Sequence, residues 1–198
     1  MSPRVYVLLA SLSFATSCTD DPLAEETSEL QGGWISAGCE DVGGGFFLIR
    51  RFTFDKTHWE NDGSIYHDAG CTAQAFDFSV GGEVDVLDQS ELVAGAYEAN
   101  FGETVKTMTI RDPAIAGYVS SQPAGTCGSA PWVVGEAQDI AATGCQAFGQ
   151  RSITACPREY DLVAIMGDAL YLGDRTPPND LCSARPQRLT AAPVVRVM

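Results

Sequence analysis

Few side chains in this chain are equipped for chemistry. Its two histidines, His58 and His67, stand nine positions apart, with Asp62 and Asp68 close by. If a hairpin folded between them, imidazoles and carboxylates would meet as a metal donor set or as an acid–base pair. Both border a polar stretch, so solvent exposure is the simpler expectation. Glu40 with Asp41, Glu60 with Asp62 and Glu159 with Asp161 are carboxylate pairs of the kind glycoside hydrolysis uses. With 26 acidic residues in the chain, such neighbours arise by chance. No Gly-x-Ser-x-Gly elbow occurs, and Gly43-Gly44-Gly45 lacks the lysine and following helix of a phosphate loop, so it reads as a turn. No catalytic residue, metal or cofactor is assigned, and the chain is expected not to be an enzyme.

The cysteines say more. There are seven: Cys18, Cys39, Cys71, Cys127, Cys145, Cys156 and Cys182. Arg4, the ten-residue apolar run 5–14 and the small residues Ala15-Thr16-Ser17 precede Cys18. The run is too short to span a bilayer, and the arrangement is that of a secretory signal. Small residues directly before a cysteine resemble a bacterial lipobox, although Ala15 stands where leucine is preferred. Residues 1–17 are therefore expected to be a signal peptide and Cys18 the lipidated first residue of the mature chain. The address is the cell envelope, with the outer membrane favoured because Thr19 rather than aspartate follows; plain secretion is the alternative. Residues 18–31, acidic and without aromatics, are expected to form a solvated tether. The other six cysteines, in an oxidising compartment, imply three disulfides. Fifteen connectivities are open, and the sequential one is preferred: Cys39–Cys71, Cys127–Cys145, Cys156–Cys182. No Cys-x-x-Cys pair suggests zinc. The net charge of −14 offers no basic stripe for nucleic acid.

The elements that position these residues are strands. In 45–54, Phe46, Leu48, Arg50, Phe52 and Phe54 alternate with Phe47, Ile49, Arg51 and Thr53. Asn61-Asp62-Gly63-Ser64 is expected to be a hairpin turn, with Asp55-Lys56-Thr57 a turn or a continuation of the strand. Residues 73–80 alternate, Gly81-Gly82 is expected to turn, and Val84 and Val86 resume the pattern. Residues 92–101 are read as a strand kinked at Gly95. Along 104–111, Lys106, Met108 and Ile110 oppose Val105, Thr107 and Thr109. Residues 112–129 are expected to be irregular. Short strands are expected over 132–140 and 151–154, a hairpin over 159–172 about Gly167-Asp168, and a last strand at 194–197. Eight to ten short strands with glycine-rich turns and no helix give an all-β fold, an antiparallel β-barrel or strongly curled sandwich, occupying 32–198.

An ordered set of residues resembles the APCDD domain (adenomatosis polyposis coli down-regulated). It begins with Gly33-Trp34-x₄-Cys39-Glu40, Phe46-Phe47-Leu48-Ile49-Arg50, Trp59 and Tyr66-x-Asp68-x-x-Cys71. It continues through Gly81-Gly82-Glu83, Cys127, Trp132, Gly144-Cys145, Cys156-Pro157, Glu159-Tyr160-Asp161, Leu170-x-Leu172-Gly173 and Arg185-Pro186. Animal members carry tandem domains and a transmembrane anchor; one domain and a lipobox-like signal stand here. The resemblance implies a disulfide-stapled barrel without catalysis, in which Glu159-Tyr160-Asp161 serves the fold. Animal members inhibit Wnt signalling, and the domain is associated with holding an acyl chain. The Wnt partner is not carried over; the apolar pocket is. The expectation is a membrane-anchored module that binds a lipid or other hydrophobic ligand, in a pocket drawing on Phe52, Phe54, Phe76, Phe78, Tyr97, Met108, Ile110, Leu162 and Met166. The alternative is a surface interaction module with a filled core.

Overall fold

The structure is a computed structural model that describes residues 22–175 and 180–197. The expected signal peptide and Cys18 lie outside the described residues. Helix α1 (Pro22–Leu30) leads into β1 (Gly32–Ser36), β2 (Glu40–Gly43), β3 (Phe46–Asp55), β4 (His58–Tyr66) and β5 (Gln74–Gln89). Then come β6 (Tyr97–Gly102), β7 (Val105–Ile110), α2 (Pro113–Ser120), β8 (Ala137–Asp139), β9 (Arg158–Met166), β10 (Ala169–Leu172) and β11 (Val194–Arg196). Eight strands close a ring in the order β1–β3–β4–β5–β6–β9–β10–β11, every neighbour antiparallel. Closure leaves no edge within the ring. The expected all-β barrel is therefore what the chain forms.

The barrel has a wing. β5 is sixteen residues long and changes partner along one edge: Phe76–Gly81 pair with β7, and Val84–Gln89 pair with β6. Gly82 lies at the exchange, where a Cβ would come 2.1 Å from the Gly102 carbonyl oxygen. Only glycine lets the two backbones approach so closely. β2 extends the sheet beyond β3, and β7 and β8 extend it beyond β5. The inner face of this continuous sheet feeds two cores. Trp34, Phe52, Phe54, Trp59, Phe101 and Leu172 fill the barrel, while Phe76, Met108, Ile110, Trp132 and Ile140 pack under the wing against Ile115 and Val119 of α2. Arg50 marks the seam on β3, its guanidinium donating to both oxygens of Glu40 and to the Ala192 carbonyl.

Several local expectations are corrected. Asn61-Asp62-Gly63-Ser64 does not turn; it runs through the middle of β4, and the hairpin closes at Asp55-Lys56-Thr57 with Lys56 at φ 56°. Gly63 is there for space: a Cβ would strike the Phe78 ring at 2.0 Å. Gly81-Gly82 likewise lies inside β5. Two helices form where none was expected. In α2, Asp112 accepts the Ala114 amide at 2.7 Å and Pro113 opens the first turn, an N-cap followed by proline within the stretch expected to be irregular. In α1, part of the expected tether, Leu30 is buried in the barrel core and its carbonyl accepts the Trp34 indole N–H at 2.8 Å. Arg196 stacks over Trp34 at 4.3 Å and donates to the Gln31 carbonyl, tying β11 to the link between α1 and β1. Residues 90–96 are loop rather than strand, β8 is only three residues long, and 151–154 form no strand.

Candidate functional site

Two loops beside the barrel are held by disulfides. The three bridges are Cys39–Cys71, Cys127–Cys145 and Cys156–Cys182, the sequential pairing. The second braces the segment that includes the 3₁₀ turn Gln146–Phe148, and the third fastens the chain before β9 to the segment after β10. Between these loops and the barrel wall, at the seam of the two cores, lies a cleft of about 670 Å³. That is within the roughly 300–1,000 Å³ typical of small-ligand sites.

Its lining is drawn from many elements. Asn61 of β4, Phe78 and Val80 of β5, Glu103 of the β6–β7 turn and Lys106 of β7 come from the sheet. Gln146, Gln150, Arg151, Ser152 and Ala155 come from one loop, and Asp180, Leu181 and Cys182 from the other. Glu159 of β9 and Arg175 complete it.

The cleft is polar at its centre. The Lys106 ammonium, 5% exposed, stands 2.6 Å from Glu103 Oε2 and donates to the Arg151 carbonyl at 3.2 Å. Burial pushes the Glu103 carboxyl above its ordinary value, and Lys106 pulls it back. Arg151 pairs with Asp180 at 2.8 Å, and Arg175 with Glu159 at 2.9 Å. Asp161, fully buried behind them, accepts the amides of Leu162 and Gly173 and meets Arg175 at 3.4 Å. Burial raises its pKa, with Arg175 opposing. Asp180 is held low, first by the Ser183 hydroxyl. Asn61 is 4% exposed, and its carboxamide oxygen has no hydrogen-bond partner. Such an orphan costs roughly 1–3 kcal/mol until a donor arrives.

The nine residues expected to line one apolar pocket do not gather. Phe52, Phe54 and Tyr97 are packed in the barrel core, and Phe76, Met108 and Ile110 under the wing. Leu162 is buried with Ala96 and Ala164 in a third small cluster, and Met166 is 53% exposed. Phe78 alone reaches the cleft. The reason is volume: Trp34, Trp59, Phe54 and Phe101 are large, fully buried and fill the ring. Glu103, Asn61 and Lys106 were not expected at a site. One signal was available: Lys106 shares its strand face with Met108 and Ile110, so it had to be buried with a partner.

The histidines do not meet. His58 opens the uninterrupted β4 and His67 follows its last residue, Tyr66, roughly 30 Å away at strand rise. His67 Nε2 lies 2.8 Å from Asp112, where the carboxylate also caps α2. Among the described residues no three His, Cys, Asp or Glu side chains gather to hold a metal. Glu159 and Asp161 share Arg175, so this carboxylate pair is tied to the fold.

A closed eight-stranded antiparallel barrel with three disulfides and a lateral cleft defines an all-β domain. The family model described as adenomatosis polyposis coli down-regulated 1 matches residues 17–161, and the chain belongs to this family.

Proposed function

We propose that this protein is a membrane-anchored, extracytoplasmic binding module for a ligand with a hydrophobic portion, and that it does no chemistry on that ligand. The seat is the lateral cleft rather than the barrel interior. The observation that carries this reading is a 670 Å³ concavity with Phe78, Val80 and Leu181 in its lining and a buried acceptor without a partner, beside a barrel filled by its own aromatics. Lipid attached at Cys18 would hold the module at the membrane, each buried CH₂ of the acyl chains contributing about 0.8 kcal/mol. Labelling with an alkyne fatty acid should mark the chain and should vanish in Cys18→Ser; labelling that persists removes the anchor.

Native mass spectrometry after gentle extraction tests the seat. A co-purifying acyl species, lost when Ala155→Trp fills the cleft rim, is the expected result. A ligand-free protein that also ignores fluorescent fatty acids overturns it. The filled barrel favours a second reading, a surface interaction module with no small ligand, and that outcome would select it.

A further inference from the structure

We infer that the polar part of the cleft takes an uncharged, hydroxyl-bearing head group, as on a monoacylglycerol or a glycosylated lipid, and not a carboxylate. This rests on the cleft being the ligand seat and names the chemistry of the ligand's other end. The charges come first. Lys106, Arg151 and Arg175 line the cleft together with Glu103, Glu159 and Asp180, and each cation already has its carboxylate within 3 Å. Among the described residues that line the cleft no cation is left over for an anion, and the chain as a whole carries −14. An arriving carboxylate would meet three of its own kind without a free counter-charge.

The hydrogen-bond inventory points the same way. Asn61 Oδ1 is a buried carboxamide oxygen with no partner, whereas Glu103 Oε2 already has the Lys106 ammonium at 2.6 Å. The Asn61 oxygen is an acceptor that lacks a donor. An ionised carboxylate has none to give, whereas a hydroxyl donates and accepts at once. The hydroxyl can therefore satisfy Asn61 while accepting from a guanidinium or ammonium at the same site. The orphan is also deep: Asn61 sits mid-strand between Phe52 of β3 and Val80 of β5, so bulk water does not serve it freely.

Calorimetry on the full chain carrying Cys18→Ser, with the three disulfides intact, tests this. The probes are 1-monooctanoylglycerol, octanoate and methyl octanoate, all below their aggregation limits at neutral pH. They share one acyl chain and differ only at the polar end. The glycerol ester is expected to bind about tenfold more tightly than either of the others, the value of one or two satisfied hydrogen bonds. Asn61→Leu should bring the ester to the affinity of methyl octanoate. Octanoate or methyl octanoate binding as tightly as the ester overturns the head-group assignment and leaves the seat standing. No binding of any of the three overturns both.

Discussion

The cleft depends on a lysine where the strand pattern calls for a hydrophobe. Lys106 faces inward with Met108 and Ile110, and its charge is held by Glu103 three residues away across the turn from β6. Removing one member of such a pair strands the other without solvent. Lys106→Met should therefore cost about 3 kcal/mol. Adding Glu103→Gln should cost less than the sum of the two single changes, a coupling of about 1 kcal/mol or more by urea titration. Additive effects would mean that the pair does not act as one unit. The same site has a pH signature. Burial holds Glu103 above the ordinary glutamate value. Between that ordinary value and the raised one, the folded chain keeps a proton that the unfolded chain has released. Stability from this group thus falls as pH rises through the window. Wild type should lose stability relative to Glu103→Gln as pH rises above the ordinary glutamate range; parallel curves would contradict the burial argument. On the proposed head-group reading, Asn61 trades stability for binding. Asn61→Leu should stabilise the ligand-free chain by about 1 kcal/mol, because an orphaned acceptor is removed. A loss of stability would show that the carboxamide oxygen is satisfied in solution.

The strands were the most legible elements, since a half-buried strand advertises its period. The faces of β3 and β7 follow the alternation of apolar residues, and Gly167-Asp168 marks the β9–β10 hairpin. Glycine was the least legible. Asp62-Gly63 and Gly81-Gly82 have turn-like sequences but serve close approach, of an aromatic ring in one case and of a neighbouring backbone in the other. Nothing local separates the two uses of glycine; only the partner strand does. The cleft was hidden for a related reason. Its lining comes from Asn61 to Cys182, and which loops face the wall is set by disulfides and by the partner change in β5. That exchange can be tested directly. Gly82→Ala should destabilise by about 1–3 kcal/mol or more, because the obstructing atoms are backbone. Gly38→Ala, with nothing within 4 Å of the added carbon, should change stability by less than about 0.5 kcal/mol. Equal effects would mean that the β5–β6 approach is looser than described.

For the molecule as a whole, two bridges brace the cleft and one does not. Cys39–Cys71 ties the start of β2 to the link between β4 and β5, whereas Cys156 and Cys182 are themselves in the cleft lining. Each bridge closes a loop of 18 to 32 residues, worth roughly 3 kcal/mol in the chain-entropy view. Replacing either the Cys39–Cys71 pair or the Cys156–Cys182 pair with serines should lower stability similarly, while only the second should weaken ligand binding. The proposed function puts the guest outside a filled barrel, in the cleft between sheet and loops. A crystal structure of the oxidised protein grown with 1-monooctanoylglycerol tests it most directly. The account predicts the acyl chain against Phe78 and Val80, beneath the Cys156–Cys182 bridge, with a glycerol hydroxyl on Asn61. Density inside the ring among Trp34, Trp59 and Phe101, or a cleft holding only water at saturating ligand, would contradict it.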